Sequence, residues 1–231
     1  MPWIIVGLGN PGPQYAQNRH NVGFMVADRL AERVGGGYRE KFRAHFARGT
    51  LKGQDVLIIK PMTWMNLSGT SVGEAATFFK APQNEVIVIH DELDIAYEQV
   101  QVKIGGGHAG HNGLRSIFEH FGKDFVRLRV GIGRPRFGDV TAHVLGNFSS
   151  DEQATLSLTL DKAAAAIEMI LEKGAQAAQN ATNQKAAPRP PKPRPPKPEA
   201  VKAEGEKPKT TVAPTEGTEQ KKTEEPTKPP E

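Results

Sequence analysis

Apolar residues in this chain follow two alternating rhythms over roughly its first three quarters. Residues 3–8 are a short apolar run ending in glycine-rich sequence, which predicts a buried strand. Val22, Val26, Leu30 and Val34 recur at every fourth position and stop at Gly35, as a helix does. Residues 45–51 and 55–60 flank Lys52-Gly53-Gln54 and predict a hairpin. A helix from about Leu67 would bury Val72, Ala76 and Phe79. The unbroken apolar run 86–89 suits a strand covered on both faces. Residues 99–104 alternate like a half-exposed strand, and Leu114, Ile117, Phe118 and Phe121 form a helical stripe ending at Gly122. Leu128, Val130 and Ile132 alternate with Arg127 and Arg129, which places the arginines on the opposite face of a strand. Ser149-Ser150-Asp151-Glu152 matches a capping box. It opens a helix that carries Leu156, Leu160, Ala163, Ile167 and Ile170 on one side and reaches at least Gly174. Strands alternate with helices, so the expected fold is a single α/β domain. Its sheet should be mixed, largely parallel and twisted, with helices flanking it. No internal repeat is apparent.

Composition changes that picture at one end. From Ala186 onward lie 12 of the 18 prolines, 10 Lys/Arg and 8 Glu, with only Val201 and Val212 as large apolar residues. Such a stretch cannot bury enough apolar area to offset its ordering entropy. The expected organisation is a folded domain over 1–185 and a disordered Pro/Lys/Glu-rich tail over 186–231. The formal net charge of +4 divides evenly between the two, so any nucleic-acid site in the folded part must be a local cluster. The absence of cysteine excludes disulfides, thiolate nucleophiles and cysteine-based metal sites. No basic leader precedes the first apolar run, and no segment is long enough to span a membrane. A soluble, cytoplasmic protein is expected.

Ligands of open α/β sheets bind beyond the carboxyl ends of the strands. Three apolar runs here end in polar sequence: Gly7-Leu8-Gly9-Asn10, then residues 60–66 with Met65 and Asn66, then His90-Asp91-Glu92. If these strands are parallel, Asn10, Asn66 and Asp91 share one rim, and His20, just before the first helix, can join them. The set holds a base, a carboxylate to orient it and amides to hold a substrate, with no serine or cysteine in a nucleophile elbow. Plainer roles compete. Asn66 and Asn112 each precede a predicted helix and would serve as N-caps, and Asp91 would serve as a turn residue. His108 and His111 lie three apart in a glycine-rich loop, but that loop offers no carboxylate at ligand spacing and HExxH is absent, so no metal is expected. Residues 7–12 also fit G-x-G-x-x-G. Pro11 and Pro13 oppose a helix opening there, however, and no strand ending in an acid follows at the distance a dinucleotide site needs.

Five linked segments then stand out: GLGNPG with Tyr15 and RHNVGF (19–24), KPMTWMNLSG (60–69), HDELD (90–94), GGGHAGHNGLRSI (105–117) and RLRVGIGRP (127–135). In this order and spacing they resemble bacterial peptidyl-tRNA hydrolase, over about residues 1–180. The resemblance implies a cofactor-free, monomeric esterase acting on peptidyl-tRNA, which it meets at the acceptor stem, the 3′ end and the 5′ phosphate. It implies His20 as catalytic base, Asp91 as the group that orients it, and Asn10 beside them contacting substrate. Tyr15, Met65, Asn66 and Asn112 would bind the peptidyl and 3′ ends, and Lys103 and Arg129 the 5′ phosphate. On that assignment the start of the first helix favours neutral His20 and Asp91 favours the cation. Asn10 or a backbone N–H would steady the oxyanion or the water, and a free amine on the substrate would be disfavoured. Trp64 stands where the family often has phenylalanine, and the tail is not part of the family core. Two alternatives remain: a non-catalytic RNA-binding module of the same fold, and a nucleotide-dependent oxidoreductase resting on GLGNPG alone.

Overall fold

The structure is a computed structural model that describes residues 1–135 and 137–183. Seven strands form one sheet: β1 (Trp3–Gly7), β2 (Arg39–Lys41), β3 (Ala44–Leu51), β4 (Gln54–Pro61), β5 (Val86–Glu92), β6 (Val100–Ile104) and β7 (Val126–Gly131), in the order β2-β3-β4-β1-β5-β7-β6. The four central strands β4, β1, β5 and β7 run parallel, while β2, β3 and β6 add antiparallel margins. The continuous apolar run in β5 follows from this position, because all seven of its residues are buried. The β3–β4 hairpin turns on Lys52 and Gly53, both at positive φ (51° and 75°), as a two-residue connection between twisted strands requires.

Among the described residues six α-helices accompany the sheet: α1 (Val22–Arg33), α2 (Ser68–Phe79), α3 (Asn112–His120), α4 (Val140–Leu145), α5 (Ser150–Lys173) and α6 (Ala175–Thr182). Odd-numbered β5 residues such as Ile87 and Ile89 pack with Leu30 of α1 and Ile167 of α5, whereas Val86 and Val88 pack with Val72 of α2 and Leu114 of α3. This period-two partition lets one sheet serve two cores. Three elements were not anticipated: β2, fully exposed; α4, with no buried residue; and α6, with only Ala178 buried. No apolar periodicity marks them. Among the described residues no helix is long and apolar enough to cross a membrane. The expected disorder of 186–231 lies outside the described residues.

The parallel register brings the carboxyl ends of β1, β4 and β5 to one rim. Two glycines bring α1 to the same place. A Cβ on Gly7 would lie 2.3 Å from the Gly23 carbonyl oxygen, and one on Gly23 would lie 2.4 Å from the Leu8 amide nitrogen. Only glycine lets the first turn of α1 approach β1 so closely. The first two glycines of GLGNPG are thus explained by packing, Gly7 against α1 and Gly9 against the Phe24 ring, which a Cβ there would meet at 2.6 Å, rather than by phosphate binding.

Candidate active site

His20 lies in a short 3-10 turn, Arg19–Asn21, immediately before α1. Its Nδ1 is 2.7 Å from Oδ1 of Asp91, the penultimate residue of the buried strand β5, whose side chain is only 4% exposed. The same Asp91 oxygen meets Nε2 of His111 at 3.0 Å. The tautomer of His111 follows from its other nitrogen: Nδ1 accepts from the amides of Gly113 (3.1 Å) and Leu114 (3.3 Å), so the proton sits on Nε2 and points at Asp91. One carboxylate oxygen therefore receives two imidazole donors. Burial favours the neutral acid, but the two histidines outweigh it and hold Asp91 well below the usual carboxylate range. Burial likewise pulls the His20 pKa down, yet the charge of Asp91 and its hydrogen bond prevail and raise it above 6.5. The expected pull of Asp91 toward the cation prevails, and what it overcomes is burial. His90 is buried with its ring edge-on to His111, 5.1 Å between centroids: burial lowers its pKa to about 3, so it stays neutral.

Asn10 stands beside this group and its amide orientation is determined. Asn21, 1% exposed, donates to the Asn10 carbonyl and accepts from the Asn10 N–H, each at 2.9 Å. Oδ1 of Asn10 accepts the Met65 amide at 2.9 Å. Its Nδ2 donors remain for the cleft. Met65 is buried and packs against α3, since a Cβ on Gly113 would meet its sulfur at 2.6 Å. Asn66 is exposed in the turn Met65–Leu67. The helix caps differ from expectation. Asn112 is the exposed first residue of α3, whose N-cap is His111, and α2 is preceded by Leu67 rather than Asn66. With capping assigned elsewhere, both asparagines are exposed and line the cleft.

Asn10, His20, Asn66, Asp91, His111 and Asn112 line a cleft of about 890 Å³, together with Trp64, Lys103 and Arg129. Tyr15 is not in the lining; its ring packs edge-on against the half-exposed Trp64, 5.8 Å between centroids. Beyond Asp91 the cleft turns cationic. Gln101 pairs with Arg129 and Lys103 with Arg127 across β6–β7, so the four side chains share one face. That face is partly covered. Arg127 is 3% exposed and its guanidinium donates to the carbonyls of Gly105 and Gly107, shaping the glycine loop. Arg129 bonds Glu92 through Nε (3.0 Å) and Gln101 through Nη1 (3.3 Å), leaving Nη2 toward the cleft. Lys103 makes no ion pair among the described residues.

The comparisons with known proteins meet this geometry. The family model described as peptidyl-tRNA hydrolase matches residues 4–190. The chain belongs to the peptidyl-tRNA hydrolase family. A peptidyl-tRNA hydrolase of Geobacter sulfurreducens is 52% identical over 184 residues, covering 79% of this chain and 95% of that protein. One of Sorangium cellulosum is 47% identical over 190 residues, covering 80% and 85%. The crystal structure of peptidyl-tRNA hydrolase from Acinetobacter baumannii superposes with a TM-score of 0.74 at 40% identity, covering 79% of this chain and 94% of that one. Two further residues complete this site in the peptidyl-tRNA hydrolase fold: His111, whose bond to Asp91 no spacing within its own loop reveals, and Asn21, which ties the His20 turn to Asn10. Asn21 sits beside His20 in RHN and was legible as a polar residue entering a buried turn. The ligand atoms of His20, Asp91 and His111 do lie within 4.8 Å of one another, close enough to meet one ion. Shared protons at 2.7 and 3.0 Å already satisfy them.

Proposed function

We propose that this chain hydrolyses the ester between a peptide and the 3′-terminal ribose of tRNA, with His20 as general base. The observation that carries the reading is the 2.7 Å bond from His20 Nδ1 to the buried Asp91 carboxylate. That bond fixes the tautomer in which Nε2 is the basic nitrogen available to the cleft. Nε2 takes a proton from water as the water oxygen attacks the ester carbonyl. The Asn10 Nδ2 donors, oriented by Asn21 and Met65, stabilise the oxyanion. As the tetrahedral intermediate collapses, the imidazolium returns the proton to the departing 3′ oxygen. Asn66 and Asn112 offer amides to the peptide main chain, which suits an enzyme that must accept any side chain, and Trp64, backed by Tyr15, walls the same cleft with Met65. Lys103 and the free edge of Arg129 bind the 5′ phosphate of the acceptor stem. The enzyme acts as a cytoplasmic monomer without a cofactor.

The test is release of the acyl group from N-acetylated aminoacyl-tRNA carrying or lacking its 5′ phosphate. The wild-type chain is expected to hydrolyse the blocked substrate and to lose efficiency when the phosphate is removed. Lys103→Ala with Arg129→Ala should abolish that discrimination. A wild type without hydrolysis contradicts the activity, and a double variant that still discriminates contradicts the phosphate assignment.

A further inference from the structure

The turn that carries His20 is held from two sides. Asn21 ties it to Asn10. The other side is tied to the connector between α4 and α5, far away in sequence. The Arg19 amide donates to the Gly146 carbonyl at 3.0 Å, and Asn18 pairs with Asn147 by an isolated bridge and a 2.8 Å amide–amide bond. The Arg19 guanidinium lies over the Phe148 ring, 5.5 Å from its centroid. It reaches the His143 carbonyl at 3.4 Å and the Glu152 carboxylate at 2.6 Å.

Glu152 is itself keyed into place. The oxygen that meets Arg19 also accepts the Ser149 amide at 2.7 Å in the capping box of α5, and Tyr97 donates to the Glu152 carbonyl. Burial raises the pKa of Glu152, but the Ser149 amide and Arg19 together keep it lowered and charged. Both side chains are largely shielded, 12% and 20% exposed, so the pair is screened less than a surface ion pair.

We infer that Arg19 and Glu152 are positioning residues for catalysis: their ion pair locks the His20 turn onto the N-terminus of α5 and so sets the heading of the imidazole toward Asp91. This rests on the reading of His20 as the base. A base must be held in near-attack geometry, and a misplacement of about 1 Å costs on the order of 10²-fold in rate. The two side chains touch neither Asp91, which bonds His20, nor His111, which bonds Asp91, so they act through the turn.

Glu152→Gln and Arg19→Gln, singly and together, test this, with two readouts on the full chain. The first is kcat against KM for the blocked substrate. Each variant is expected to lose about 10- to 100-fold in kcat with KM within about twofold, and the double variant should lose no more than the worse single. The second is the titration of His20 followed by NMR without substrate. Losing an anion lowers a histidine pKa by simple charge, and losing a cation raises it. If the pair positions His20 against Asp91, both variants weaken that bond, and both titrations move down. Opposite movements, or an unchanged kcat, overturn the inference. A kcat loss matched by a fall in the folded fraction, with His20 titrating as in wild type, overturns it too. Because the titration needs no substrate, failure of the hydrolase reading would show separately, as an inactive wild type.

Discussion

Asp91 Oδ1 serves two histidines at once, and only one of them keeps a nitrogen for chemistry. Nδ1 of His111 is spent on the α3 amides and its Nε2 on Asp91. His20 spends Nδ1 on Asp91 and keeps Nε2. The raised His20 pKa fixes the sign of the pH dependence. The base form is populated only as pH climbs through a value above 6.5, so kcat/KM should rise through that region. Asp91→Asn removes what raises the pKa and leaves burial, which lowers it. Its acid limb should therefore shift to lower pH, with a reduced plateau. A pH–rate profile of the two proteins checks this, and an acid limb in the same place or higher contradicts it. By linkage, the His20–Asp91 pair adds stability that is full below the unfolded histidine pKa and disappears as pH rises through the folded one.

The placement of elements depends on small residues more than on large ones. Gly23→Ala would drive a methyl to 2.4 Å from the Leu8 nitrogen and 2.5 Å from the Ile89 oxygen, both backbone atoms that cannot rotate away. Overpacking of this kind costs about 1–3 kcal/mol. Urea unfolding should show that loss, and an unchanged midpoint would mean α1 does not seat against β1 as described. The same logic explains what was legible in the sequence. Residues 86–89 and the stripe Val22, Val26, Leu30 were readable because burial on both strand faces, or on one helix face, leaves an apolar period. Elements β2 and α4 bury no side chain and left none. The burial of Arg127 was not legible, because alternation reveals the face a residue occupies and not whether a glycine loop folds over it. The rim residues Asn10, Asn66 and Asp91 were legible because each follows an apolar strand. The double duty of Asp91 was not, since His111 reaches it through a helix start that no spacing rule encodes.

At the scale of the whole molecule, the folded part has a net charge close to zero for its size, yet one half of its cleft carries Lys103, Arg127 and Arg129. Binding to RNA should thus be local and salt-sensitive. The composition of 186–231 predicts that this segment adds nothing to the core. A chain ending after Lys185 should keep its Tm and its rate of peptide release. If Arg189, Lys192, Arg194 and Lys197 add RNA affinity, that chain should bind less tightly at low salt than at high salt relative to full length. A Tm lower by several degrees would contradict the domain boundary. The central claim is that His20 and Asp91 act as a unit on one water. Single-turnover hydrolysis of N-acetylated aminoacyl-tRNA by His20→Ala, Asp91→Asn and the double variant tests it most directly. His20→Ala should lose roughly 10²–10⁴ in rate while keeping its tRNA affinity, Asp91→Asn should lose less, and the double variant should be no slower than His20→Ala. Losses that multiply in the double variant, or an undiminished rate in His20→Ala, would contradict the account.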